Sequence, residues 1–250
     1  MEKLIKEIKL IFPDINIHPK ILKWWLVHYE RIKNYFEIIL HQEAQATKIL
    51  EIGIGYGIIA SFLSEYPKVQ IICTEHPTRD YLWKKDFNRF FTSKGIKIVA
   101  NDISSGLPFK NSSFDIVFFC DVIEHLPVEK IPQVIGEIYR VIKTNGTLIL
   151  STPNLMRLEN ILKVLKGKSP NPRVPVEIIG KTYGHIREFT IEEISSFLNP
   201  CFKIIRAETG LLPVFEGKYS FKEKVYSLFK RALPILKDEI YILAQKNDLP

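Results

Sequence analysis

The chain has 250 residues, 46% hydrophobic and 25% charged, a composition that fits one folded domain of ordinary size and excludes a disordered chain. Its formal net charge of +7 favours an acidic partner. No uncharged apolar run reaches the ~18–20 residues of a membrane span, and the charges within "MEKLIKEIKL" argue against a signal peptide. Cys73, Cys120 and Cys201 are far apart in apolar runs and predict free thiols. We therefore expect a cytoplasmic protein.

The first 46 residues predict a helical cover, because Pro19 to Leu40 has a broad apolar face and no internal breaker. From Thr47 onward, short β-rich runs alternate with helical ones. The predicted strands are Lys48–Ile52, Val69–Thr74, Ile96–Ala100, Phe114–Cys120 and Thr147–Ser151, and the predicted helices are Ile58–Glu65, Arg79–Lys94 and Val128–Lys143, the last ending at Asn145-Gly146.

This alternation predicts an α/β fold with an open, doubly wound, mostly parallel sheet over residues 47–250. An irregular segment at about 153–184 predicts a lid insertion after the fifth strand. Thr190 and Glu193 form a capping-box pattern that predicts the start of a helix, with Phe189 and Ile194 as its hydrophobic staple. Two later strands, from Phe202 and Glu239, flank a basic amphipathic stretch at about 218–237.

Three alternate glycines follow the first strand in "ILEIGIGYG". A dinucleotide-binding turn requires G-x-G-x-x-G, and Ile58 occupies the third glycine position. Glu51 would also repel a pyrophosphate, but it would attract a ligand with positive charge and no phosphate. The other interpretation makes Glu51 only a partner for the dipole of the following helix.

These residues resemble the first motif of the class I S-adenosylmethionine-dependent methyltransferases, whose sheet is Rossmann-like and seven-stranded. "LPFKNSSFDIVFFCDVIEHL" and "GHIREFTIEEI" are similar to the small-molecule branch that includes the ubiquinone-biosynthesis O-methyltransferases. The resemblance implies S-adenosylmethionine as cofactor and no metal. The cofactor-binding residues that it implies are Glu51, Gly53, Gly55, Gly57, Glu75, Asp102, Ile103 and Asp121.

The resemblance also gives each acidic residue a role. Glu75 would bind the ribose hydroxyls, and Asp102 would lie beside the adenine amino group, although Asn101-Asp102 is also a turn pair. Asp121 would either touch the methionine end of the cofactor or hold the loop. Glu75 alone, without its place at a strand end, would be an ordinary solvated acid.

Two histidines are candidates for the chemistry of the acceptor. His125 follows the fourth strand and His185 precedes the capped helix, and either could act as a base for a hydroxyl acceptor. The alternatives are that His125 only orders its loop, and that His185 pairs with Glu188 rather than lining an acceptor pocket with Arg187.

The expected reaction is O-methylation of a small, lipid-linked or sugar-like acceptor. An RNA methyltransferase is the alternative enzyme, because the positive charge suits phosphates. The chain lacks the Asn-Pro-Pro-Tyr-type motif with which nucleic-acid amino-methyltransferases hold a planar amine, and it has "STPN" at the corresponding end of the fifth strand. A protein that binds the cofactor without turnover is the alternative of another class.

The segment Leu155 to Arg173 has five cations against one acid, and Leu155, Leu158, Leu162 and Leu165 share one helical stripe. It predicts a lid packed on the protein or a helix lying on anionic lipid, a peripheral membrane contact that the second basic stretch also favours.

Overall fold

The computed structural model describes residues 47–171, 185–211 and 221–247. The predicted helical cover at 1–46 and the second part of the predicted lid, 172–184, lie outside the described residues. The strands are β1 Thr47–Ile52, β2 Val69–Glu75, β3 Lys97–Ala100, β4 Phe114–Cys120, β5 Ile142–Pro153, β6 Phe202–Gly210 and β7 Glu239–Lys246. The helices are α1 Ile58–Leu63, α2 Lys85–Ser93, α3 Ile131–Val141, α4 Leu158–Leu165, α5 Ile191–Leu198 and α6 Phe221–Ala232.

The strands form one seven-stranded sheet in the order β3-β2-β1-β4-β5-β7-β6. Strands β1 to β5 run parallel to one another, and β7 lies antiparallel between β5 and β6. The predicted α/β fold with a mostly parallel sheet is confirmed. Strand order reverses between β1 and β4, and in open α/β sheets ligands bind beyond the carboxyl ends of the strands at such a switch point.

Apolar side chains cover both faces of the sheet. One cluster includes Phe87 and Phe91 of α2 with Leu63 of α1, and the other includes the buried faces of α3 and α5. Because β4 is covered on both sides, its residues are apolar except for Asp115, and the centre of β1 is the apolar run Ile49–Leu50. This burial makes the two central strands a rigid support for the loops at their carboxyl ends.

The predicted helix ending at Asn145-Gly146 was wrong. α3 ends at Val141, and Ile142 is extended, buried and paired with Phe114. Asn145 has a φ of 60°, so the pair makes an irregular turn within β5 instead of ending the helix. A buried apolar residue after the helix was the signal for the strand.

The other boundaries need smaller corrections. The predicted continuous helix Arg79–Lys94 is a 3₁₀ turn, Asp80–Trp83, followed by α2, because Lys84 is extended. The capping box is confirmed: the Glu193 amide donates to the Thr190 hydroxyl at 3.2 Å, and the Thr190 amide donates to the Glu193 carboxylate at 2.9 Å. Both staple residues are buried.

The three cysteines are free thiols, as predicted, two of them buried and Cys201 half-buried. Of the helices within the described ranges, none combines the length and the apolar character needed to cross a membrane.

Candidate active site

A cavity of about 520 Å³ opens at the switch point, beyond the carboxyl ends of β1, β2 and β4. This volume lies in the range of small-molecule sites. Its lining contains nearly every residue predicted to bind cofactor or acceptor: Glu51, Gly53, Gly55, Glu75, Asp102, Ile103, Asp121, His125 and His185. Gly57 is outside the lining.

The glycines have different tasks. Gly53 has a φ of 80°, and a Cβ there would lie 2.7 Å from a methyl carbon of Val122. Its missing side chain therefore keeps the cavity floor open. Gly57 has a φ of 70° and directly precedes α1, and its Cβ would lie 2.1 Å from the Phe91 ring. Gly57 thus serves helix packing, in contrast to its predicted contact with cofactor.

Glu51 lies at the base of the cavity and is buried. Burial raises its pKa to about 8; the neighbouring Glu75 carboxylate raises it further, while hydrogen bonds from the Cys73 thiol and the Ala60 amide lower it. The bond from Ala60 ties Glu51 to the first turn of α1 while the residue also lines the cavity, and its contact with the cofactor stays a prediction. A positively charged ligand would stabilise the ionised form of this carboxylate, which burial disfavours.

Glu75 ends β2 with its carboxylate held by three donors. Gly55 donates its amide at 2.9 Å and Tyr81 its hydroxyl at 2.8 Å to one oxygen, while the His76 amide donates at 2.7 Å to the other. Each carboxylate oxygen accepts about two hydrogen bonds. Only the oxygen bound to His76 therefore retains room for a ligand hydroxyl, so a bidentate contact would require one of the present donors to move. Tyr81 was not predicted as a site residue, because only the folded chain brings its hydroxyl to the Glu75 carboxylate.

Asp102 both builds a turn and borders the cavity. One carboxylate oxygen accepts from the Ser104 amide at 2.9 Å and the Ser104 hydroxyl at 2.7 Å, which fixes the 3₁₀ turn Ile103–Ser105. The other oxygen lies 3.8 Å from the His76 imidazole. Ile103 is buried and adds an apolar wall. The interpretation of Asn101-Asp102 as a turn pair is therefore compatible with the predicted contact between Asp102 and a ligand.

Asp121 follows β4 with a φ of 54°, a left-handed conformation that aspartate tolerates better than most residues. Its amide donates to the Ser151 carbonyl at 2.9 Å, and the Ser151 hydroxyl contacts its carboxylate at 3.4 Å. These bonds tie the loop to β5 while the residue lines the cavity.

The two predicted histidines meet at the other end of the cavity. Their rings are 5.0 Å apart and nearly perpendicular. Each Nε2 lies 3.9 Å from the same oxygen of Glu124, a fully buried residue. That oxygen has no hydrogen bond, while the other accepts from the Thr152 hydroxyl at 3.0 Å. Burial, reinforced by Asp121, raises the pKa of Glu124 well above its usual value.

The segment that carries His185 is fastened to the loop after β4 by its backbone. The amides of Ile186 and Arg187 both donate to the Glu124 carbonyl, at 2.7 and 3.3 Å. The Arg187 side chain pairs with Glu193 and lies 5.4 Å from the Phe189 ring. Arg187 is not among the lining residues, so it does not build the pocket with His185 as predicted.

His185 also faces a second buried carboxylate. Its Nδ1 lies 3.7 Å from Glu188, which accepts from Arg157 and Asn160 at 2.7 Å each. Burial raises the pKa of Glu188, but the His185, Arg157 and Asn160 contacts outweigh burial and hold this pKa below its usual value. Glu188 is therefore ionised beside His185. The predicted His185–Glu188 pair and the predicted pocket position occur together.

Glu124, His125 and His185 are also a possible donor set for a cation, since one ligand atom of each lies within 4.8 Å of the others. Two ligands on ~2.1 Å bonds to a zinc ion lie ~3.4 Å apart in tetrahedral geometry. The 3.9 Å separations from Glu124 to both imidazoles exceed that value, so the three groups are neighbours that are not spaced as zinc ligands. The absence of a metal requirement stays a prediction.

A sheet of this order with a cavity at the switch point is the fold of the class I S-adenosylmethionine-dependent methyltransferases. Residues 50–150 match the family model of the methyltransferase domain, which identifies this part of the chain as a methyltransferase domain with S-adenosylmethionine as its cofactor. The match begins within β1, ends within β5 and includes all predicted cofactor residues, but it stops before His185 and Glu188.

Solved structures with the same fold span nearly the whole chain. A SAM-dependent methyltransferase from Archaeoglobus fulgidus is 16% identical with a TM-score of 0.55, covering 87% of this chain and 94% of its own. One from Mesorhizobium loti is 12% identical, with a TM-score of 0.57 and coverages of 81% and 92%. The PH0226 protein from Pyrococcus horikoshii OT3 is 16% identical, with a TM-score of 0.58 and coverages of 88% and 91%.

The position of Glu75 predicts a loss of cofactor affinity on substitution. Glu75→Ala removes a charged acceptor and releases Gly55 and Tyr81 from it, so we expect binding weaker by ~2–4 kcal/mol. Calorimetric titration with S-adenosylmethionine measures this loss. Glu192→Ala, an exposed carboxylate on α5, is the control and is expected to bind normally. Unchanged affinity in Glu75→Ala would exclude this residue from the site.

The raised pKa of Glu51 predicts a pH-dependent affinity. Glu51 is neutral in the free protein below about pH 8, so binding of the sulfonium cation requires proton loss there. Affinity is expected to rise up to ~10-fold per pH unit until this pKa and to level off above it. The same shift makes the free protein lose stability as pH rises from 4.5 to about 8, because only the unfolded chain ionises freely.

Calorimetry between pH 6 and 9 tests this linkage. S-adenosylhomocysteine is the matched ligand, since it keeps the amino group and lacks the sulfonium charge. Glu51→Gln is expected to flatten the difference between the two ligands across this range. Parallel pH profiles for both ligands in the unaltered protein would contradict a role for Glu51 in binding the sulfonium.

Proposed function

We propose that this enzyme methylates a hydroxyl oxygen of a small, lipid-linked or sugar-like acceptor by in-line transfer. The observation that carries the proposal is the pairing of His185 with Glu188: one imidazole nitrogen faces an ionised buried carboxylate at 3.7 Å while the ring lines the cavity. A carboxylate that holds an imidazole in one orientation is a common arrangement for a general base.

S-adenosylmethionine supplies an electrophilic methyl group on a positively charged sulfur. The chain has to place the acceptor oxygen in line with that methyl and exclude water, and these two effects supply much of the acceleration. In our proposal Nε2 of His185 accepts the hydroxyl proton as the oxygen–methyl bond forms and the methyl–sulfur bond breaks, with the sulfur leaving as a neutral thioether. The imidazolium is then stabilised by Glu188, and the proton leaves to solvent with the product.

Glu124 has the complementary role in this proposal. Its raised pKa favours the protonated acid, which leaves the nearby imidazoles free to accept a proton. His125 packs edge-on against His185 and limits how that ring can turn. We therefore assign the proton to His185, and to His125 either a share in binding the acceptor or the ordering of its loop.

The RNA alternative has less support from this site. Asn154, the last residue of "STPN", is buried, and its amide donates to the carbonyls of Ile235 and Lys237 at 2.9 and 2.7 Å. The side-chain oxygen, which would have to accept from a planar amine, already accepts from the Met156 amide at 3.0 Å. The hydroxyl acceptor therefore remains the favoured substrate.

Isotope labelling tests the proposed reaction. The protein is incubated with methyl-labelled S-adenosylmethionine and a cell extract, which is then divided into lipid, water-soluble and RNA fractions. We expect label in the lipid or water-soluble fraction as an alkali-stable methyl ether. Label in RNA would establish the alternative enzyme, and an amine product would contradict O-methylation. Cofactor binding without any product would favour the non-catalytic alternative.

A further inference from the structure

An apolar surface lies on α6 and the turn that follows it. Leu228, Phe229, Leu233 and Ile235 are all at least half exposed, at 67%, 53%, 50% and 57%. We call these four residues the apolar stripe. Isolated exposed apolar residues are ordinary, whereas four of them within eight positions mark a surface that binds something.

Lys230 fixes which side of α6 faces outward. It is buried and donates to Glu159 of α4 at 2.7 Å and also to Asp238. Residues two positions away on a helix point ~160° away from it, so Leu228 faces away from the protein whenever Lys230 is bound. The contacts of the buried Lys230 with Glu159 and Asp238 therefore keep Leu228 directed away from the protein.

The charged side chains around the apolar stripe have a small excess of cations. Glu159 and Asp238 are both paired with the buried Lys230. Arg231 is exposed on α6, and Lys166 and Lys168 are exposed just after α4. At the end of α4, Val164 and Leu165 are also exposed, at 52% and 76%. Lys230 offsets only one of its two carboxylates, so these six charged groups together carry +2, and exposed apolar side chains beside a net positive charge fit an anionic lipid surface.

We propose that this face docks on an anionic lipid bilayer, with the apolar stripe inserted at the headgroup level and the three cations against lipid phosphates. This inference rests on the proposed function and narrows its acceptor to a lipid-linked one. α4 connects the two sites. At its start, the N-cap residue Arg157 and Asn160 both donate to Glu188, which lies beside His185, and its last turn carries the exposed Leu165.

The structure also changes which cations to test. Lys163 donates to the Asn160 side chain and the Pro170 carbonyl, so it is engaged with the protein. The predicted leucine stripe of this segment divides likewise, because Leu158 is buried and Leu165 is exposed. Arg231 and Lys166 are therefore the informative positions.

Vesicle sedimentation with the full chain tests the proposal. Vesicles of phosphatidylcholine alone are compared with vesicles that contain phosphatidylglycerol, at low and high salt. We expect binding to the anionic vesicles only, weakened by salt. Each surface cation near an anionic membrane contributes about fivefold in affinity. Arg231→Gln with Lys166→Gln is thus expected to weaken binding roughly 25-fold, and Leu228→Gln with Phe229→Gln at least tenfold.

Lys85→Gln with Lys97→Gln removes two exposed cations from α2 and β3, at the opposite side of the sheet, and is expected to bind as the unaltered protein does. Equal loss in this control would overturn the proposal, as would no binding to either vesicle, self-association through the stripe, or salt-sensitive binding to RNA alone. Calorimetry with S-adenosylmethionine and transfer to a detergent-dissolved acceptor measure the proposed function separately, without vesicles.

Discussion

A His185→Ala enzyme is expected to bind S-adenosylmethionine normally and to transfer its methyl group ~10²–10⁴-fold more slowly. The reason is that the proposed base borders the cavity beside an ionised Glu188, whereas Glu51, Glu75 and Asp102, which are predicted to hold the cofactor, lie at the ends of other strands, β1, β2 and β3. Single-turnover rates with a saturating cofactor measure the loss. Partial recovery with added imidazole would identify the missing group as a base, which a purely structural histidine would not show.

Two further variants separate catalysis from folding. Glu188→Gln keeps the shape of the side chain but removes the charge facing His185, so we expect slower methyl transfer with an unchanged affinity for S-adenosylmethionine. His125→Ala is expected to lower thermal stability more than the rate of the folded fraction. A His125→Ala protein that is fully folded and as slow as His185→Ala would assign the base to His125 instead.

Arg157→Met is expected to lower the free energy of unfolding by ~3–5 kcal/mol, because it leaves a buried carboxylate without its charged partner. Glu188 is only 1% exposed, and Arg157 donates to it at 2.7 Å. Denaturant unfolding monitored by circular dichroism measures the change. Arg206→Met is the matched control, since Arg206 pairs with Glu208 on the surface at a similar 2.8 Å. Its expected cost is under ~1 kcal/mol.

Adding Glu188→Gln to Arg157→Met removes the buried charge itself. The double variant is expected to recover much of the lost stability, because a neutral amide costs less to bury than an unpaired carboxylate. It is not expected to recover the methyl-transfer rate. Recovery of both would show that Glu188 serves folding alone, and equal destabilisation by Arg157→Met and Arg206→Met would contradict the buried ion pair.

The cofactor end of the site could be predicted from the sequence because its residues follow strands directly. Glu51 and Glu75 are near the ends of buried apolar runs, and parallel strands bring their carboxyl ends to one edge of the sheet. Local signals were equally informative at Thr190 and Glu193, where the capping box lies within four residues. Such short-range patterns determine local geometry before tertiary packing intervenes.

The acceptor end could be predicted only in part. His125 and His185 were candidates by residue type, but the two buried carboxylates that face them were not, because their partners are distant in the sequence. Glu188 and Asn160 are 28 positions apart, as are Glu124 and Thr152. An acid inside an apolar run, such as Glu124 in "DVIEHL", was the signal available. Asn145-Gly146 was misread because the same pair suits a helix end and a strand irregularity.

The backbone attachment of the His185 segment has a consequence for how this enzyme could change its substrate. The two amides that donate to the Glu124 carbonyl place no demand on the identity of their own side chains. Ile186, which contributes one of them, is 42% exposed. Substitutions at such a position leave His185 where it is, although Ile186 itself does not line the cavity. Libraries for acceptor retargeting should therefore begin at a lining residue such as Leu126, keep this backbone attachment, and leave Glu124, His185 and Glu188 untouched.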